Sequence, residues 1–149
     1  MSASPGTGGG GTFSRRFLVH WNDCDPARIV FHANFIRWMD EGFTDLTRAR
    51  GVDFVALAEA DPCFRGAPLV DVHCAFRAPA QFGDLLDHRI APPEFGAGRA
   101  FMLRHRFLLP DGRLAAEGEQ TRIWGHDAGE GLRAVPMPAA IAARLAGRA

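Results

Sequence analysis

Three reactive side chains stand in succession near the start of the chain: Asp23, Cys24 and Asp25. Pro26 follows at once, and a proline fixes its own φ and biases the preceding residue away from the helical region. Asp25 is therefore expected to be extended, just ahead of a predicted helix whose first N–H groups are unpaired and whose dipole is positive there. A carboxylate aimed across such a helix end is suited to attack a carbonyl group whose oxygen the helix polarises.

Asp25 has an ordinary interpretation beside this reactive one. A lone Asp before Pro is usually a turn residue or a helix cap. Apolar neighbours favour the reactive interpretation, because a partly desolvated carboxylate is a better base and nucleophile than one in water. These neighbours are Ile29, Val30, Phe31 and Phe35.

Two other chemistries are open to the same loop. Cys24 lies near His20 and His32 in the sequence, so a Cys–His nucleophile is one alternative, against the commoner role of a small buried hydrophobe. If the loop alternates like a strand, Cys24 and Asp25 face opposite ways and only one of them faces a substrate. The other alternative is a metal site, but its ligand spacing matches no helix-borne pair such as HExxH. Its ligands would be His20, Asp23, Asp25 and His32.

Hydrophobic periodicity predicts the elements that position this loop. It indicates a strand over residues 13–21, a long amphipathic helix over residues 33–48 and a short helix over residues 52–60. A meander of four strands follows, and then a last helix, over residues 67–77, 84–91, 99–109, 113–124 and 138–146 respectively. Residues 1–12 are expected to form a flexible glycine-rich tail, which leaves residues 13–149 as the one folded domain.

Helices and strands are largely segregated along the chain, which is typical of an α+β fold with a mostly antiparallel sheet. We expect a single domain in which the long helix lies across a five-stranded sheet. A sheet covered by one layer leaves apolar area and unpaired edges, and symmetric pairing of copies is the common solution for so small a unit. The sequence therefore predicts a homo-oligomer.

Composition excludes several classes of protein. The 17 acidic and 17 basic residues cancel, so nothing favours binding to nucleic acid or to an anionic membrane. Three cysteines without a CxxC spacing argue against a disulfide framework or a zinc ribbon, and they fit a reducing cytoplasm, which is the expected location. No apolar run reaches transmembrane length, and the N-terminus lacks the features of a signal peptide. The chain has no tyrosine, so a mechanism that needs a tyrosine hydroxyl is excluded.

Basic residues alternate with apolar ones along the later predicted strands. This pattern usually indicates a solvated sheet face, and the functional alternative is a shallow cationic strip for phosphate groups. The residues are Arg99, Arg104, Arg106 and Arg122. Two histidines of the same region, His73 and His105, are expected to serve packing or an interface.

Several segments, taken together, match one known family. They are Asp23-Cys-Asp-Pro-Ala27, Ile29-Val30, Asn34, Arg37-Trp38-x-Asp40, Gly66-x-Pro-x-Val70, Phe76, Asp84-x-Leu86, Phe101, Arg104-His105 and Leu132-Arg-Ala134. The chain resembles the 4-hydroxybenzoyl-CoA thioesterases of the Pseudomonas type, which are hotdog-fold enzymes. The resemblance extends from about residue 17 to about residue 138. Its most specific part is the Asp-Cys-Asp-Pro-Ala run with the downstream Arg-Trp-x-Asp.

The resemblance implies a hotdog fold, in which the sheet wraps around the helix at residues 33–48. It also implies dimers that pair into tetramers, with active sites at the dimer interface. It puts the catalytic carboxylate at Asp25 and the carbonyl-polarising backbone N–H at His32. Asp40 would lie near the ring of the acyl group, with a solvated helix residue as the alternative. Arg99 and Arg104 are the expected contacts for CoA.

The sequence departs from the pattern of that family at four places. Arg28 replaces a glycine, and His32-Ala33 replaces Tyr-Pro. An aromatic position of the second helix that helps to line the acyl pocket corresponds to Val55. Basic residues that contact CoA phosphates are mostly replaced by the Gly-Ala-Gly of residues 96–98, so contacts to CoA are expected to be weaker or relocated.

The expected activity is hydrolysis of an acyl-CoA thioester with an aromatic acyl group, benzoyl or hydroxybenzoyl. Asp25 would act as a nucleophile through a mixed anhydride, or as a general base on water, and no metal or cofactor is required. The alternatives are a short-chain or fatty acyl-CoA thioesterase and a non-catalytic acyl-CoA binder. A hotdog dehydratase is disfavoured because no suitably spaced His–Glu or His–Asp pair is found.

Overall fold

The computed structural model describes residues 6–7 and 11–148 of the chain. Eight strands and three α-helices succeed one another as β1 Gly6–Thr7, β2 Phe13–Leu18, α1 Ala33–Ala49, α2 Phe54–Ala60, β3 Leu69–Phe76, β4 Leu85–Ile90, β5 Glu94–Phe95, β6 Ala100–Leu108, β7 Leu114–His126, β8 Arg133–Val135 and α3 Ala139–Leu145. Most of the predicted tail, residues 1–5 and 8–10, lies outside the described residues. None of the described helices is long and apolar enough to cross a membrane.

The predicted α+β class and the long helix are confirmed, but the sheet has eight strands where five were predicted. The three additional strands, β1, β5 and β8, are two or three residues long. So short a segment cannot produce a recognisable period-2 pattern, which is why periodicity missed them. Every paired neighbour in the sheet is antiparallel, as predicted.

The predicted meander is wrong for its first strand. The strand order is β1-β2-β4-β6-β7-β3, so β3 lies at the edge beside β7 and not beside β4. The segment that follows β3 does not turn back as a hairpin. It crosses the end of the sheet, where the N–H of Arg77 donates to the carbonyl of Ala115 at 2.8 Å and the N–H of Val30 donates to the carbonyl of Ala80 at 2.8 Å. Strands that are consecutive in sequence usually pair, but here the crossing segment separates β3 from β4.

Helix α1 packs across the sheet with one apolar face. Its buried residues are Phe35, Trp38, Met39, Gly42, Phe43, Leu46 and Thr47. Phe35 meets Trp38 and Phe107 edge-on, with ring centroids 5.3 Å and 5.2 Å apart. Full burial of one large apolar side chain, such as Phe35 or Leu46, stabilises the fold by about 1.5–3 kcal/mol. The apolar face therefore fixes how the helix is rotated against the sheet.

A chain of buried polar side chains runs through the centre of the helix–sheet interface. The Arg15 guanidinium donates to Nδ1 of His88 at 3.0 Å, and the two histidine rings are bonded through His88 Nε2 and His105 Nδ1 at 2.9 Å. His105 Nε2 lies 3.0 Å from the amide oxygen of Gln120, which can only accept. This fixes both histidines as neutral rings protonated on Nε2, each of which donates to the next acceptor. The prediction of a packing role for His105 is confirmed.

The helix comes close to the sheet above this polar chain because residue 42 is glycine. A Cβ atom on Gly42 would overlap Cε1 of His88, well inside van der Waals contact. On the facing strand, a Cβ on Gly118 would meet the side chain of Met39 and the carbonyl of His73 in the same way. The two glycines therefore set the distance between helix and sheet.

We expect the two buried histidines to make the fold sensitive to acid. Burial lowers the pKa of His105 to about 3, and burial together with His105 and Arg15 lowers the pKa of His88 well below its ordinary value of 6.5. Because the unfolded chain binds these protons first, stability is complete above pH 6.5 and is lost as the pH falls towards 3. Between pH 7.5 and pH 5, His105 alone should cost about 2 kcal/mol.

Urea titrations at the two pH values measure this loss, and the NMR signal of the His105 ring assigns it. The ring should stay neutral down to pH 5. A ring that titrates with a midpoint near its ordinary value in the folded protein would contradict the buried neutral pair.

Candidate active site

The reactive loop folds as a small hairpin between β2 and α1. Cys24 and Val30 form an isolated antiparallel bridge. Within it, the N–H of Asp25 donates to the carbonyl of Ile29 at 3.0 Å, and the N–H of Arg28 donates to the carbonyl of Asp25 at 2.8 Å. These bonds hold Asp25 at the edge of a tight turn, directly before the proline.

Asp23 anchors this loop to the helix. Its carboxylate accepts a hydrogen bond from the N–H of His20 at 2.8 Å and from the Arg37 guanidinium at 3.2 Å. Its carbonyl accepts from the N–H of Phe31 at 2.9 Å and from the side-chain amide of Asn34 at 2.8 Å. Asp23 is buried, so it positions the loop and does not face a substrate. The sequence suggested Asp23 as a reactive group or a metal ligand and not as an anchor, although Asn34 and Arg37 in the matched motifs were a usable signal.

Arg28 has a backbone conformation that a side chain disfavours. Its φ is +64°, and it is the one residue other than glycine with positive φ among the described residues. Left-handed backbone costs a residue with a Cβ roughly 1–2 kcal/mol. This explains why a glycine suits the corresponding place in the resembling family, and it means that the loop bonds around Asp25 are strong enough to hold a strained residue.

The Asp25 carboxylate is half-buried and has a free oxygen. Oδ1 accepts a hydrogen bond from the N–H of Ala27 at 2.8 Å. Oδ2 accepts none from residues 11–148. One oxygen is therefore held in place, and the other is available to a reacting group.

Cys24 lacks the surroundings of a thiolate nucleophile. Burial raises the pKa of its thiol, and the nearby carboxylates, Asp23 among them, raise it further. The thiol lies 3.8 Å from the carbonyl of His20 and not against an imidazole ring. A raised pKa keeps the sulfur protonated near neutral pH. This favours the interpretation of Cys24 as a small packing residue and not as a nucleophile.

Helix α1 begins without a side-chain cap, beside an apolar hollow. The first bonds of the helix are donated by the N–H groups of Asn34 and Phe35. The N–H groups of His32 and Ala33 find no acceptor among the described residues, and the His32 side chain does not cap the helix. A hollow of about 400 Å³ lies here, with walls that include Val30, His32, Phe35, Phe76 and Ala80.

Of the five predicted site residues, His32 lines this hollow and Asp25 is linked to its wall through the backbone. Asp25 is bonded to Ile29, which lines the hollow, and His32 lines it directly. Two unpaired N–H groups at a positive helix end and a carboxylate with a free oxygen are the parts that an attack on a polarised carbonyl requires.

Asp40 lies two turns further along α1. Its side chain is 67% exposed and accepts a hydrogen bond from the buried Arg122 guanidinium at 2.6 Å. The Arg122 guanidinium also lies 4.3 Å from the ring centroid of Phe43 and donates to the carbonyl of Ala67. The carboxylate is therefore held in a fixed direction, with one oxygen left over.

The two predicted CoA contacts lie apart from this loop within one chain. Arg99 directly precedes β6, and the first residue of β6 pairs with Ile123 near the C-terminal end of β7. The segment that contacts the reactive loop crosses the sheet at Ala115, near the N-terminal end of β7. The nine-residue strand between the two ends spans about 27 Å. Arg104 lies on the face of the sheet that points away from α1, where it forms ion pairs with Glu94 and Glu119.

The histidines and carboxylates of the loop do not assemble into a metal site. Among the described residues, the one group of three ligating atoms within 4.8 Å of one another lies elsewhere in the fold. Val55, the predicted pocket residue of the second helix, lines a separate hollow between α1 and α2.

Comparison with known proteins decides the family. Residues 19–145 match the sequence profile of the thioesterase-like superfamily. The chain belongs to this superfamily. The 4-hydroxybenzoyl-CoA thioesterase of Pseudomonas sp. (strain CBS-3) is 27% identical to the chain over 125 residues, which are 81% of this chain and 88% of the relative. A 1,4-dihydroxy-2-naphthoyl-CoA hydrolase of Prochlorococcus marinus is 26% identical over 68% of each chain.

Solved structures agree with this assignment. A 4-hydroxybenzoyl-CoA thioesterase variant in complex with 4-hydroxybenzoyl-CoA superposes with a TM-score of 0.81 at 24% identity, over 91% of this chain and 99% of that one. A gentisyl-coenzyme A thioesterase superposes with a TM-score of 0.72 at 30% identity, over 86% of this chain and 98% of that one. The predicted resemblance, the hotdog fold and the thioesterase class of enzyme are confirmed.

Proposed function

We propose that this thioesterase hydrolyses the CoA thioester of an aromatic acid, with Asp25 as the reacting carboxylate. What supports the proposal is a carboxylate with a free oxygen in the loop that leads into an uncapped helix start, which lies beside one apolar hollow. The N–H groups of His32 and Ala33 would bind the thioester oxygen, on which negative charge develops in the transition state. The hollow would take the acyl group.

Two routes are compatible with this arrangement. In the first, the free oxygen of Asp25 attacks the thioester carbon, the carbon–sulfur bond breaks, and CoA leaves as a thiolate from a mixed anhydride that water then opens. In the second, Asp25 takes a proton from a water molecule that attacks the same carbon. Both yield the free acid and CoA. A thiolate is a good leaving group, so neither route needs a strong general acid.

Replacing Asp25 by Asn should lower turnover at least ~10²-fold, because an amide is neither nucleophile nor base, while binding of the ester survives. Cys24→Ala is the matched control in the same loop and should keep most of the activity. Thiol release from acyl-CoA measures both variants. Wild-type turnover by folded Asp25→Asn would overturn the assignment. A comparable loss in Cys24→Ala, with substrate protecting Cys24 from iodoacetamide, would favour the cysteine instead.

The aromatic side chains that line the hollow support an aromatic acyl group as the substrate. Phe76 lies 5.7 Å from Phe35 and 6.2 Å from the His32 ring, centroid to centroid. Flat apolar walls suit offset and edge contacts with a further ring. The relatives named above act on hydroxybenzoyl, dihydroxynaphthoyl and gentisyl esters, all of which carry a hydroxylated ring.

Asp40 does not line the hollow of its own chain, and we propose that it reads a ring hydroxyl in a pocket that the loop of a partner chain completes. Arg122 occupies one of its oxygens, so the other can accept a hydrogen bond from the hydroxyl, directly or through water. A site built to pair a hydroxyl disfavours the ring that lacks it. Asp40→Ala should therefore shrink the ratio of kcat/KM for 4-hydroxybenzoyl-CoA over benzoyl-CoA. An unchanged ratio would remove Asp40 from the site and leave it as a solvated helix residue.

A homo-oligomer would complete this site. β3 is an edge strand, and Val70 and Phe76 on it are 55% and 51% exposed. Two-fold antiparallel pairing of β3 with its copy would cover this edge. It would also bring the loop end of one chain beside the Arg99 end of its partner, which a single chain holds apart. A second exposed apolar group could join dimers into a tetramer; it consists of Leu18, Trp21, Phe82 and Leu85.

Light scattering should give a mass of two or four times 16.2 kDa at micromolar concentration. Val70→Arg should lower that mass, because it puts a charge into the edge contact. Val55→Arg, on the exposed face of α2, should leave it unchanged. A mass near 16.2 kDa for the wild type would contradict the proposed assembly.

A further inference from the structure

Three side chains with metal-ligating atoms converge away from the reactive loop. They are Asp61, Cys63 and His126, and their ligating atoms all lie within 4.8 Å of one another. Asp61 and Cys63 follow the C-terminus of α2, whereas His126 is the last residue of β7. The far end of β7 is the one that faces the reactive loop, so this cluster is separate from the proposed catalytic centre.

The spacing of the cluster suits a four-coordinate ion. With metal–nitrogen and metal–oxygen bonds of about 2.0–2.2 Å and a metal–sulfur bond of about 2.3 Å, neighbouring ligand atoms of a tetrahedral site lie about 3.5 Å apart. Nε2 of His126 is already 3.5 Å from Oδ2 of Asp61. The sulfur of Cys63 lies within 4.8 Å of both other ligating atoms, so small side-chain rotations would bring all three to that spacing.

The backbone holds the two halves of the cluster together. Phe64 and His126 form an antiparallel bridge, and the N–H of Asp127 donates to the carbonyl of Cys63 at 2.8 Å. Oδ1 of Asp61 accepts from the N–H of Cys63 at 2.9 Å, which leaves Oδ2 for another partner. Three ligands from two segments that are distant in sequence are thus placed side by side before any ion binds.

The charges around the cluster favour a cation. Asp127 adds a carboxylate next to His126 in the chain, and its Oδ1 accepts hydrogen bonds from the N–H groups of Gly129 and Gly131 at 2.8 Å and 3.1 Å. The nearby Arg65 guanidinium donates to the carbonyls of Pro62 and Phe64. Arg133, which pairs with His126 across the sheet, has its guanidinium 3.5 Å from the carboxylate of Glu130.

We propose that Asp61, Cys63 and His126 form a binding site for a divalent transition-metal ion, Zn²⁺ by preference. One thiolate, one imidazole and one carboxylate make a donor set that suits zinc and cobalt and does not suit Mg²⁺ or Ca²⁺, which take oxygen ligands. Three protein ligands leave the fourth position open to water or to a small ligand. A bound ion would tie the end of α2 to the end of β7.

Co²⁺ is the probe, because a cobalt–thiolate bond gives a near-ultraviolet charge-transfer band and four-coordinate Co²⁺ gives strong visible bands. Titration of the full chain at about pH 7.5, where the ligands can lose their protons, should produce both bands at one equivalent. Zn²⁺ should then remove them by displacement and raise the melting temperature. No bands, or binding weaker than about 10 µM, would overturn the proposal.

Single variants assign the ligands. Cys63→Ser should abolish the charge-transfer band, and His126→Gln and Asp61→Asn should each weaken binding by at least about tenfold. Cys74→Ser, which changes a thiol on the core side of β3, is the matched control and should leave the titration unchanged. A charge-transfer band that persists in folded Cys63→Ser, or disappears in folded Cys74→Ser, would place the ion elsewhere and contradict the proposal.

Discussion

The close contact between helix α1 and the centre of the sheet is the constraint on which the rest of the structure depends. Gly42 and Gly118 allow that contact, and the hydrogen-bonded chain through His88 and His105 fills the space that remains. Arg15, at the head of this chain, also donates to the carbonyl of Trp38 at 2.9 Å and to the carboxylate of Asp45 at 3.0 Å, so sliding or rotation of the helix would leave the buried Arg15 guanidinium unpaired. The position of the helix start, and of the reactive loop that leads into it, follows from this packing.

The loop itself depends on a second, local constraint. Asp23 binds the start of the loop, the helix side chains of Asn34 and Arg37, and the backbone of Phe31. Asp25 lies in the turn of the loop, outside these anchoring bonds to the helix, and the strain at Arg28 shows how firmly that turn is held. Neighbouring carboxylates therefore have different tasks, one in positioning the loop and one with a free oxygen.

The sequence was informative where a feature is local and uninformative where it is not. Periodicity located the long helix, which begins at Ala33 as predicted. The edge position of β3 could not be predicted, because it depends on contacts such as that between Arg77 and Ala115, which are remote in sequence. For the same reason the separation of Arg99 from the loop, and the pairing of Arg122 with Asp40, appear only in three dimensions. Arginines that alternate along strands gave no indication that Arg104 and Arg122 face opposite sides.

The central claim is that an aromatic thioester is cleaved at the helix start. It is tested most directly by thiol release from the wild-type protein with matched CoA esters, benzoyl-CoA and 4-hydroxybenzoyl-CoA against hexanoyl-CoA, whose acyl chain has a similar number of carbons. The account predicts that kcat/KM for the aromatic esters exceeds that for hexanoyl-CoA by at least about tenfold. Equal or faster hydrolysis of the aliphatic ester would contradict the aromatic assignment, and saturable binding without thiol release from any ester would contradict the catalytic role of the loop.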